Sequence, residues 1–171
     1  MQRRVWLVIV GLVASVLAVV VPSGNAQAPG PKTITLFEPE EDAGGSFRII
    51  DNAPKSPSKN PESRKYRFSV GDQAIFSNPV YDRQGGTSQG NVYVKATVVK
   101  GKTFANVRLL AEAVIAFNDN SQLVLDGLFS FADEGDVRVA VTGGTGTYEG
   151  ASGTLTITEV PGGSLDTITL K

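Results

Sequence analysis

Any chemistry in this chain has to come from a short list of side chains. Its 171 residues include no histidine and no cysteine. That removes the usual proton shuttle near neutral pH, thiolate and Ser-His-Asp nucleophile systems, disulfides and most transition-metal sites. Proton transfer then falls to Asp, Glu, Lys, Tyr or a bound cofactor. Carboxylates gather at Glu38, Glu40, Glu41 and Asp42, a run that also reads as a solvated acidic turn. Arg108 and Asp126 lie in otherwise apolar segments, where an inward-facing pair would make a pocket polar; the outward position is the commoner one for such residues. Tyr93, Phe104, Phe117, Phe129 and Phe131 are candidates to line a cavity, and core packing explains them equally well.

Two ligand classes are excluded early. Gly143-Gly-Thr-Gly146 looks like part of a phosphate loop, but such a loop must open a helix, and Thr154-Leu-Thr-Ile-Thr158 is strand-like. With 16 Lys+Arg against 17 Asp+Glu, the formal charge is -1, and a nucleic-acid binder needs a basic footprint. Without His or Cys most transition-metal sites are excluded, and the sequence offers no nucleotide loop.

The elements that would position these residues are strands. In Asn91–Val99, Val92, Val94, Ala96 and Val98 alternate with Tyr93, Lys95 and Thr97. Leu109–Phe117 and Ser152–Val160 show the same period of two, the pattern of a strand with unlike faces. Turn residues separate the runs at Lys100-Gly-Lys102, Asn118–Ser121, Asp133–Asp136 and Pro161-Gly-Gly163. Eight or nine strands are predicted, at 32–38, 46–51, 65–76, 91–99, 104–117, 122–131, 137–142, 152–160 and 164–170. The fold class is all-β, as a sandwich or an up-and-down barrel. Two longer connections, 52–64 with three prolines and 78–90 with Gly85-Gly86, are expected at one end of the barrel, near a mouth.

The N-terminus has a different composition. Arg3-Arg4 precedes an apolar run from Val5 to Val21, followed by small and polar residues to Ala28. This is the layout of a secretory signal, with cleavage expected after Ala26. The rival reading is an uncleaved anchor, because the run reaches the lower length limit for a bilayer span. The domain plan is a signal peptide over 1–26, a short linker over 27–31 and one domain over 32–171. The mature chain would be secreted or otherwise extracytoplasmic, without stable membrane insertion. A cysteine-free exported chain of this size suits a bacterial source better than a small eukaryotic secreted domain.

One segment carries a resemblance. Val141-Thr-Gly-Gly-Thr-Gly-Thr-Tyr-Glu-Gly-Ala-Ser-Gly153 resembles the glycine signature shared by plant allene oxide cyclases and dirigent proteins. Gly71–Tyr81, with Phe76-Ser-Asn78 inside it, resembles a cyclase segment more weakly. The Ala113–Gly127 hairpin and Phe47–Asp51 are also similar to those families. The resemblance implies an eight-stranded antiparallel barrel, usually a homotrimer, in which the glycine motif links two strands through its backbone. It further implies an apolar interior that binds a small hydrophobic molecule. Leu36-Phe37-Glu38 looks like the first-strand carboxylate site, so Glu38 would move a proton or stabilise a developing cation. Asn78 would be its catalytic partner, holding a water, and it also reads as a turn residue before Pro79. Tyr81, Tyr93, Arg108, Phe117, Asp126 and Phe129 would contact the ligand. The sequence departs from the cyclases: the pocket cysteine is missing, Glu40 stands where they carry Asn, and Phe129 aligns with a pocket Tyr. The resemblance therefore favours cofactor-free steering of a cyclisation or coupling in an isomerase- or dirigent-like protein, without allene oxide cyclase activity itself. A non-catalytic, lipocalin-like carrier is the alternative, and a filled structural barrel the third reading.

Overall fold

The computed structural model describes residues 32–40, 45–60, 63, 65–130 and 135–171. The predicted signal peptide and linker lie outside the described residues. Nine strands follow one another: β1 (Lys32–Pro39), β2 (Ser46–Ile50), β3 (Gln73–Tyr81), β4 (Ser88–Lys100), β5 (Arg108–Phe117), β6 (Gln122–Phe129), β7 (Val137–Thr145), β8 (Gly153–Val160) and β9 (Gly163–Leu170). All described pairings are antiparallel, and the sheet order is β1-β9-β8-β7-β6-β5-β4-β3-β2.

The sheet closes on itself. β3 offers one edge to two partners in turn: Ser77 back to Gln73 pair with β2, and Tyr81 pairs with Phe37 of β1. The result is an eight-stranded antiparallel barrel with β1 and β2 sharing one place in the ring. Closure removes sheet edges that would otherwise expose unpaired backbone groups.

The predicted alternation positions the core. Val92, Ala96 and Val98 of β4, Leu109, Ala111 and Ile115 of β5, Leu123 and Leu125 of β6, and Ile168 and Leu170 of β9 are buried. One apolar cluster joins Leu36, Val80, Val92, Ile115, Leu123 and Ile168. A second, toward the other end, is built on Tyr66 and Phe68 from the β2–β3 connection, packed on Ala74, Ala96, Val98, Val107 and Leu109.

The structure corrects three strand readings. The predicted 65–76 strand begins only at Gln73. The alternation of Tyr66 and Phe68 belongs to an irregular segment that plugs the barrel; its fold-back at Gly71, φ 94°, is held by Asp72, which accepts the Asn52 and Ser69 amides. Conversely, 78–81 is strand although it contains Pro79. That proline lies between the part of β3 paired with β2 and the residue paired with β1, where a missing ladder donor is tolerated. The 104–107 segment is a turn, in which Asn106 accepts the Lys102 and Thr103 amides.

The two long connections lie at opposite ends of the barrel, because one precedes and the other follows β3. The glycine motif does link two strands. Gly143 and Gly144 continue β7 past a bulge opposite Val124/Leu125. Gly146 and Gly150 adopt positive φ (59° and 72°) in the turn to β8, a backbone that other residues rarely accept.

Candidate functional site

Three neighbouring strands change character at one level of the barrel. β9 presents Ser164 and Asp166 inward before Ile168 and Leu170. β1 presents Glu38 after Ile34 and Leu36, and β3 presents Asn78 before Val80. The register places Leu36 beside Asp166 and Glu38 beside Ser164, so these side chains share a face.

Asn78 is buried, and its Nδ2 donates to Glu38 Oε1 over 2.6 Å. Its amide oxygen lies so close to Gly45 that a β-carbon there would collide with it. The glycine thus lets the chain entering β2 pass over Asn78, and the amide is turned with its donors toward Glu38. Asp166 is only 2% exposed, and Ser164 Oγ donates to its Oδ1 over 3.1 Å. Burial pushes the Asp166 carboxyl up to about 7, with the nearby Glu38 adding to the rise and the Ser164 hydrogen bond opposing it. Two carboxyl groups with unlike environments therefore face one interior, one of them half-protonated near neutral pH. That is the arrangement general acid–base chemistry needs. The neighbours across β8 are apolar: Ile157 pairs with Asp166 on one side and Val137 on the other, and Ile157 and Val137 are half-buried against the core.

The sequence candidates separate into two groups. Glu38 and Asn78 come together inside the barrel. Phe129, half-buried, packs inside on the second cluster, and Tyr81 is half-buried at the barrel seam beside Phe37. Phe117 faces the opposite end, stacked at 4.9 Å on Tyr148 over a recess of about 320 Å³ that also involves Ile34, Gln89 and Asp119. Tyr93, Arg108 and Asp126 are not brought to the interior. Each alternates with buried neighbours and is exposed; Asp126 accepts the Thr142 hydroxyl at 2.7 Å on the outer face. The pocket role expected for these three has no geometric support, because period-two alternation points them away from it.

Asp166 was missed. A signal existed in Ser164, Asp166, Ile168 and Leu170, a single carboxylate on an otherwise apolar strand face. Among the described residues no cluster of three or more acidic side chains could hold a metal ion, and no helix is long and apolar enough to cross a membrane.

An eight-stranded antiparallel barrel with inward carboxyl groups defines the architectural class. No protein-family model and no curated protein matches the sequence. Solved structures do. A pyocyanin demethylase superposes with a TM-score of 0.60 at 20% identity, over 82% of this chain and all of that one. Two pterocarpan synthase dirigent proteins give TM-scores of 0.58 and 0.61 at 16% and 14% identity. They cover 84% of this chain, and 86% and 95% of their own. At these identities the likeness is one of fold, and the fold is the one implied by the glycine motif.

Proposed function

We propose that the barrel binds a small, mostly apolar molecule in its interior and steers a cofactor-free isomerisation, cyclisation or coupling of it by acid–base action of Asp166 and Glu38. The observation that carries this reading is the buried carboxyl group with a pKa near 7 beside a second carboxyl that is oriented by Asn78. Left without a partner, a buried carboxyl of this kind costs stability, which a hydrogen bond or proton transfer to a bound ligand would offset. The protonated Asp166 donates to a ligand oxygen or nitrogen while Glu38 accepts a proton from the same ligand, so the ligand is rearranged with no net gain or loss of protons. After the product leaves, exchange of the proton from Glu38 to Asp166, directly or through solvent, restores both groups. The apolar walls supply shape and exclude water; fold alone would not select this function.

The named neighbours are two pterocarpan synthase dirigent proteins and a demethylase, which supports a barrel that handles small organic molecules. We also propose that the chain is exported, on the N-terminal pattern alone. N-terminal sequencing of the protein from its own host tests this, with Gln27 as the expected first residue.

Native mass spectrometry of protein purified from that host should reveal a retained small molecule. Turnover of the molecule so identified should fall about 100-fold or more in Asp166→Asn and in Glu38→Gln, with binding preserved. Binding without turnover in the wild-type protein would favour the carrier.

A further inference from the structure

The end of the barrel closed by the plug concentrates positive charge on one shoulder. Residues 52–71 contain five cations and one acid, and residues 99–107 contain two lysines and no acid, in a chain whose formal charge is -1. The two stretches lie against each other. Phe68 N donates to the Lys102 carbonyl over 3.0 Å, and Gly71 N donates to the Val98 carbonyl over 2.8 Å. Within the plug, Ser56 Oγ accepts the Arg67 amide at 2.9 Å, which holds the chain around Lys55 alongside. The alternation that sends Tyr66 and Phe68 into the barrel leaves Lys65 and Arg67 exposed outside. Lys55, Lys100 and Lys102 are exposed too. The neighbouring acids turn onto the plug's own backbone: Asp72 is buried on the Asn52 and Ser69 amides, and the Asp51 carboxylate accepts the Ser56 amide. The other acids of this end fall across the ring, where the chain between β6 and β7 carries Asp133, Glu134 and Asp136.

Apolar side chains stand among these cations. Val70 is 70% exposed, and Val99 and Phe104 project from the adjoining stretch at 42% and 38%. Cations set around exposed apolar tips match a lipid interface. Ammonium and guanidinium groups meet anionic headgroups, and the apolar tips enter the boundary of the acyl chains. A soluble polyanion would use the cations and leave Val70, Val99 and Phe104 in water. We propose that the shoulder built from the plug and the β4–β5 turn docks reversibly on an anionic lipid surface. The acidic side of the ring is repelled from such a surface, so the barrel meets it by this shoulder. Apolar small molecules concentrate in the same surface, so docking and the proposed interior site serve one class of ligand; the docking itself does not rest on that reading.

The test is co-sedimentation of the protein, in the form whose N-terminus has been sequenced, with vesicles of phosphatidylcholine alone or with about 30% phosphatidylglycerol added. Binding is expected on the anionic vesicles only, and it should weaken at least about 10-fold as salt rises from about 0.05 to about 0.5 M. Lys100→Glu/Lys102→Glu and, independently, Lys55→Glu/Lys65→Glu should each weaken it by about 30-fold or more with unchanged melting temperature. Val70→Ser/Phe104→Ser should weaken it about 10-fold. Arg83→Glu, at the other end of the barrel, should change it by less than about 2-fold. Failure to bind the anionic vesicles at low salt would overturn the proposal. So would equal binding to both kinds of vesicle, or full binding by both charge-reversal variants. Full binding by Val70→Ser/Phe104→Ser, with soluble heparin competing for the cations, would reassign the shoulder to a soluble polyanion.

Discussion

β1, β3 and β9 each carry two kinds of interior. Toward one end their inward residues are Ile34, Leu36, Val80, Ile168 and Leu170, joined in a continuous apolar cluster. Toward the other they are Glu38 and Asn78, and Ser164 and Asp166, two hydrogen-bonded pairs. The backbone is the same ladder throughout, so the difference lies in the side chains alone. The apolar half gains stability by leaving water. The polar half spends some of it, because a carboxyl group held away from water favours its protonated form. This contrast is the reason the proposed function is assigned to the polar half.

The contrast can be tested by its consequences. The largest expected effect is in the apolar half: Ile115→Ala removes a fully buried side chain from the cluster and should cost about 2–5 kcal/mol in urea unfolding. Next is a pH effect confined to the polar half. Asp166 binds its proton more tightly folded, with a pKa of about 7, than unfolded, near 3.8. Stability from this group is therefore present below about pH 4 and is lost as pH rises to about 7. The loss is at most about 4 kcal/mol. Asp166→Asn should flatten this slope and be the more stable protein at pH 8. An identical slope in wild type and variant would mean that Asp166 is hydrated.

Asn78→Ala should cost about 1–2 kcal/mol at neutral pH, since it withdraws a hydrogen-bond donor from the Glu38 carboxylate. The smallest effect sharpens the pairing itself. Glu38→Gln removes a charge that holds the Asp166 carboxyl up, so NMR titration should show the Asp166 pKa falling while staying above the ordinary value, because burial is the larger cause. No change would mean the two carboxyls do not sense one another.

Much of the barrel was legible in the sequence. Alternation at Val92–Val98 and Leu109–Phe117 marked strands and their buried faces, and the glycine motif pointed to the topology. Glu38 and Asn78 were found through resemblance. Their meeting could not be read, because they are 40 residues apart and closure of the ring brings them together. Asp166 was hidden for a related reason. Leu165 and the threonines make the other face of β9 nearly as apolar as the inner one, so alternation alone did not tell which face turned inward. Tyr93 shows the opposite error: its alternation with Val92 and Val94 already assigned it outside, and its aromatic character outweighed that signal. The 65–72 segment misled because a plug whose alternate side chains enter a barrel has the same period as a strand.

The ring is closed unequally. β1 pairs with β9 over eight consecutive residues, from Lys32↔Leu170 to Pro39↔Gly163, but meets β3 at the single rung Phe37↔Tyr81. In mechanical terms the barrel is a cylinder with one seam, and Glu38 is stitched immediately next to it. Tension or thermal strain on the cylinder concentrates where the stitches are fewest, so the wall that parts first is the one beside Glu38. The bonded zipper to β9 keeps β1 attached while it does.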